Sequence, residues 1–86
     1  MGKQHVSAWK APIVLLLDGE SSLIAIHNVC EAARFLVANC PPVPGIAFRK
    51  AVSTCFAALE GAVDSERARF AFLAAAHEVG IAITLT

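Results

Sequence analysis

Charge is scarce in this chain. Asp, Glu, Lys and Arg make up 16% of its 86 residues, and seven basic residues balance seven acidic ones. Soluble domains usually carry about 25% charged residues. Nucleic-acid binders show a basic stripe, and an anionic membrane surface attracts clustered Lys and Arg. Neither cluster occurs, so no nucleic-acid and no membrane partner is expected. No apolar run approaches the ~18 residues needed to span a bilayer. The N-terminal MGKQHVSAWK has no apolar signal core, so a cytoplasmic location is expected. Gly2 does not sit in a myristoylation pattern, because Val6 stands where Ser or Thr is required.

Recognisable ligand-binding spacings are missing too. There is no C-x₂-C, and the three cysteines, Cys30, Cys40 and Cys55, are an odd number. That fits reduced, buried thiols better than a disulfide framework. His5, His27 and His77 have no His or Cys partner at short metal spacing, so no metal site is expected. No GxGxxG and no GxxxxGK[ST] occurs, so no nucleotide cradle and no cofactor are expected.

What remains is apolar. The hydrophobic fraction is 57%, and 17 of the residues are Ala. A chain this short buries only about 60–65% of its unfolded surface. With so few charges, some apolar area is expected to stay uncovered in a monomer, which favours self-association.

The pattern along the chain predicts a single α+β domain over residues 11–86, preceded by a flexible arm over residues 1–10. Pro12 opens an apolar run from Ile13 to Leu17. Asp18-Gly19 is a hairpin-turn dipeptide, because both central positions of such a turn need positive φ. Leu23 to Ile26 returns as a second strand. Asn28 is a good helix N-cap, with Glu31 placed to complete a capping box. Val29, Ala32, Ala33, Leu36 and Val37 form the apolar face of this first helix. Pro41, Pro42 and Pro44 end it.

Phe48, Val52, Cys55, Phe56 and Leu59 predict the stripe of a second helix, closed by Gly61. Asp64 or Ser65 caps a third, whose face is Ala68, Phe72, Ala75, Ala76 and Val79. Gly80 stops it. Ile81, Ile83 and Leu85 alternate with polar or small residues, the mark of a half-buried strand. The order is β-β-α-α-α-β, with the hairpin and C-terminal strand forming one sheet packed by three helices. Phe35 and Phe70 fall on the more polar sides of their helices, and burial against a neighbouring helix is expected for both.

Helices can cover only one face of a small sheet, yet the hairpin is apolar on both. Val14, Leu16 and Ile24 are therefore the candidate association surface. The competing reading is that a helix, or the arm carrying Trp9, folds over it. Arg67 and Arg69 flank Ala68 in the first turns of the third helix. They are candidate anion or partner contacts. Arg69 could instead pair with Glu60 or Glu66. Cys55 lies mid-stripe and reads as a buried small hydrophobe rather than a nucleophile. Cys40, at the Pro-rich break, is the thiol expected to be exposed. No catalytic pair of carboxylates has a home, because Asp18 and Glu20 belong to a turn and Asp64 and Glu66 to a helix cap.

The segments AVSTCFAALEG and ARFAFLAAAHEVGI resemble the bacterial domain of unknown function 982 family. The string Cys55, Leu59, Gly61, Ala68, Arg69, Phe72, Ala75, Ala76, Glu78 and Gly80 carries the resemblance, which covers about Trp9 to Ile83. One departure is Cys40-Pro41, where members tend to have Trp-Pro. The resemblance implies a small α+β domain and no reaction, cofactor or ligand. The expected function is a non-enzymatic interaction or self-association module, with a homo-oligomer or protein partner. The alternative is a small-ligand or anion-binding regulator.

Overall fold

The local signals for each element are realised in a computed structural model, which describes residues 8–17 and 22–84. The elements are β1 (Ala8–Leu17), β2 (Ser22–Asn28), α1 (Val29–Ala38), α2 (Ile46–Leu59), α3 (Ser65–Glu78) and β3 (Ala82–Thr84). The order is the expected β-β-α-α-α-β. β1 is the central strand of an antiparallel sheet ordered β2-β1-β3. Leu17 pairs with Ser22, while the Asp18-Gly19 turn lies outside the described residues. Residues 8–10, expected in the arm, already belong to β1. The remainder of that arm, residues 1–7, lies outside the described residues.

β1 is regular only from Ile13 onward. Its register against β2 shifts between Ala8 and Ile13. Pro12 sits in that interval and has no backbone N–H to give a ladder. Two side chains tie this irregular stretch to α3. Trp9 Nε1 donates to the Ser65 carbonyl at 3.1 Å. Arg69 Nε donates to the Ala11 carbonyl at 3.0 Å. Trp9 is thus buried on the helix side of the sheet, within the main core, and does not fold over the other face.

Several helix ends have a nameable cause, although Asp64, the expected cap of α3, makes no side-chain cap bond. Asn28 Oδ1 accepts from the Glu31 N–H at 2.9 Å, as expected of an N-cap. Glu31 closes the motif one residue further out than a capping box does. Its Oε1 accepts from His27 N at 2.8 Å and contacts His27 Nδ1 at 3.1 Å. Those contacts hold the Glu31 carboxyl below its usual range, the backbone hydrogen bond first and the side-chain one second. The stabilisation is present above the ordinary carboxylate range and is lost as pH falls through the lowered value. It is small, because both side chains are about half exposed.

Gly61 and Gly80 have φ of +83° and +80°. After each, the chain closes a Schellman motif. Ala62 N bonds to Ala57 O at 2.8 Å, and Ile81 N to Ala76 O at 2.9 Å. The second of these motifs turns α3 directly into β3.

The core lies between one sheet face and the helices. Ile13, Leu15 and Ile26 meet Val29, Ala32 and Leu36 of α1, Phe48, Ala51 and Cys55 of α2, and Ala68, Phe72 and Ala75 of α3. Phe35 packs on Phe72 with ring centroids 5.8 Å apart and tilted by 59°, the burial expected of it. Phe70 does the opposite and is 64% exposed. The stripe of α2 is also rotated from expectation: Ala51 is buried, while Phe56 and Leu59 are exposed. At 100° per residue, two alanines, Ala51 and Ala58, suffice to turn the inward face away from the bulkier side chains. Val37 and Val79 lie at the exposed margins of their faces for the same reason.

Candidate functional site

The sheet presents its second face without a helix over it. In an antiparallel ladder, directly opposed residues share a face. Val14 opposes Ala25 and Thr84, and Leu16 opposes Leu23 and Ala82. These positions form the outer face. Leu15 opposes Ile24 and Ile83, and all three belong to the core side. Ile24 therefore does not join Val14 and Leu16 in the candidate surface. The fault is one of parity, since a step of one residue moves a strand side chain to the opposite face. Leu23 takes its place, and it is 64% exposed. Val14 and Leu16 are half-buried because strands flank β1 on both sides. Among the described residues no helix packs on this face, and none of its members belongs to the core cluster.

Arg67 and Arg69 are not brought together. Positions two apart on a helix are separated by about 200°, so these side chains leave on opposing sides. Arg69 turns to β1 and satisfies Ala11, and neither Glu60 nor Glu66 pairs with it. Arg67 turns instead to a cleft between α2 and α3, where Lys50 also lies. The N-cap of α3, Asp64, makes no side-chain cap bond.

One carboxylate in the fold has a role that local sequence did not reveal. Glu78, at the end of α3, caps the start of α2. Its Oε1 accepts from Ala47 N at 2.9 Å, and its Oε2 from Phe48 N at 3.2 Å. A negative group here meets unpaired amides and the positive end of the helix dipole. Gly45, the N-cap of α2, is extended with φ of −79°. A Cβ there would meet the Glu78 carboxylate, which would have to swing aside and give up its bonds to the α2 amides. Gly45→Ala should therefore cost about 1–2 kcal/mol, the scale of a lost cap. In thermal melts the same change on a Glu78→Ala background should cost much less. Equal costs in both backgrounds would show that the carboxylate is not what Gly45 accommodates.

The thiols separate by burial. Cys55 is fully buried, and desolvation pushes its thiol up to about 11. Cys40 is exposed, as expected, and Cys30 is intermediate. A thiolate is the reacting form. With a disulfide reagent at mildly alkaline pH, Cys40 should label first, and Cys55 only as the protein unfolds. Labelling of native Cys55 at the rate of Cys40 would contradict its burial. His27 and His77 are both exposed, and His77 stands in the last turn of α3. His5 lies outside the described residues. Among the described residues no side chain that is polar or charged is buried, and no group of three His, Cys, Asp or Glu could hold a metal. No helix described is long and apolar enough to cross a membrane.

The model of the family described as "Protein of unknown function (DUF982)" matches residues 11–83. That span runs from the irregular part of β1 to β3 and takes in every helix. No curated protein and no solved structure matches.

Proposed function

Because the chain belongs to the DUF982 family, whose description assigns no activity, we propose a function from its own surfaces. It is a non-enzymatic module that associates with a second copy of itself through the open face of the sheet. The observation that carries this reading is the apolar outer face of Val14, Leu16, Leu23, Ala25 and Ala82, on which no described element packs. None of these five residues is charged. A net charge of zero removes long-range repulsion between copies. A two-fold pairing would set like patch on like patch, which suits a surface with no charge to complement.

The size of the face sets the strength of the contact. Strands about 4.8 Å apart, with about five paired residues in β1 and in β2 and three in β3 at ~3.3 Å each, make a patch of roughly 200 Å². A standard interface takes about 800 Å² from each partner. The dimer should therefore be weak and concentration-dependent. Sedimentation velocity from about 10 µM to about 1 mM tests this, those being ordinary values for weak dissociation constants. A rising weight-average mass is expected across the series. A strict monomer throughout would remove the proposal.

A further inference from the structure

The cleft between α2 and α3 differs in chemistry from the sheet face. It measures about 640 Å³, within the roughly 300–1,000 Å³ of small-molecule sites. None of its lining residues belongs to the sheet or to α1. Its lining repeats at helical spacing along each helix. Ala57 of α2 and Ala71 and Ala74 of α3 give it small apolar contacts. Small residues on both helices leave a hollow that larger side chains would fill.

Two cations line this hollow, one from each helix, and no carboxylate does. Lys50 comes from α2 and Arg67 from α3. Among the described residues neither makes a hydrogen bond or ion pair. Phe70 stands beside them, 64% exposed, although its neighbour Phe72 fills the core. A site with positive charge, an exposed aromatic ring and an alanine lining complements a molecule with one anionic end and an apolar body. Guanidinium matches carboxylate geometry in a two-pronged contact, and ammonium adds a point charge.

We propose that the α2–α3 cleft binds a small organic carboxylate with an apolar body, its carboxylate held by the cationic lining that Lys50 and Arg67 supply and its body against Phe70 and the alanines. An inorganic anion would use the cations but leave the apolar wall idle. A neutral apolar molecule would use the wall but leave the charges unpaired. The site needs both halves of the ligand, and it is independent of the sheet face.

The test is an amide-detected NMR titration of the full chain with 3-phenylpropionate and with octanoate. Acetate, inorganic phosphate and 3-phenylpropanamide serve as comparison probes. Shifts confined to the neighbourhood of Lys50, Ala57, Arg67, Phe70, Ala71 and Ala74 are expected with at least one of the two carboxylates. The dissociation constant should be on the order of a millimolar or below, as suits about ten heavy atoms in an open site. Each comparison probe should bind at least about five-fold more weakly, the scale of one exposed charge contact. Lys50→Met and Arg67→Met together should weaken binding about ten-fold, and Ala74→Leu, at an exposed floor position, should block it. Unchanged melting temperatures would establish that these variants remain folded. Leu16→Lys should bind as the parent chain does, which separates this site from self-association. No response to either carboxylate at about ten times that constant, equal binding of the neutral amide, or indifference to the double substitution would overturn the proposal.

Discussion

Phe72→Ala should bring this domain to the edge of unfolding. Phe72 is among the most deeply buried of the described side chains, packed against Phe35 and the strands beneath. Only about 10 Å³ of free space adjoins the two rings, no more than the minimum for a single water. The site cannot collapse cheaply, so truncation leaves a cavity. Such a change typically costs about 3–5 kcal/mol. A domain of this length has a total stability of roughly 4–13 kcal/mol. The expected result in chemical denaturation is a midpoint shifted by a large part of its range, or no folded baseline at all. Phe70→Ala is the matched control, and it should change stability by less than about 0.5 kcal/mol. Comparable losses at both positions would mean that the inward face of α3 has been assigned wrongly.

Leu16→Lys should produce the second large effect, on association rather than folding. In the monomer Leu16 lies half-buried on the outer face of the central strand. A lysine can lay its methylene stem along neighbouring apolar surface and lift its ammonium into water, so the fold should lose about 1 kcal/mol or less. In a two-fold dimer the substitution enters twice. Each copy forfeits only the part of leucine burial that the monomer leaves unrealised, less than half of roughly 1.5–3 kcal/mol, and brings a charge towards its mate. The dissociation constant should rise by at least about ten-fold. Ile24→Ala should behave in the opposite sense, because Ile24 packs on the core side. It should lower the melting temperature and leave the dissociation constant of the folded protein nearly unchanged. If Leu16→Lys leaves association intact, the outer sheet face is not the interface.

These two contrasts mark where the sequence was readable. Strong local signals specified the element order. Asn28 begins α1 with its own side chain, and Gly61 and Gly80 adopt the positive φ that ends α2 and α3. Proline-rich residues 41–44 break the chain between α1 and α2. Each of these devices acts within a few residues, so it is visible without knowledge of the fold.

Facing was less readable, for two separate reasons. In β2, Leu23 and Ile24 are both large and aliphatic, so composition does not say which points inward. Only the pairing of Leu15 with Ile24 decides it. In α2 and α3, alanine competes with bulkier residues for the inward stripe. Ala51 and Ala68 win it because they let helices approach closely, leaving Phe56 and Phe70 outside.

Contacts between remote residues were not readable at all. Glu78 reaches α2 from 31 residues away, and Arg69 reaches β1 from 58. The family-like string includes both residues, but no local rule says that one is a cap and the other a clamp on an interrupted strand. Arg67 and Lys50 meet the same cleft only because the Gly61 turn folds α3 back on α2.

The proposed role stands on one point, that a second copy closes the apolar surface one subunit leaves bare. The most direct measurement mixes isotopically labelled and unlabelled protein at about 1 mM, where a weak dimer is populated, and selects intermolecular methyl contacts. Cross-peaks between copies at Val14, Leu16 and Leu23 are the expected result. Their absence at that concentration, or cross-peaks arising only from the helices, would contradict it.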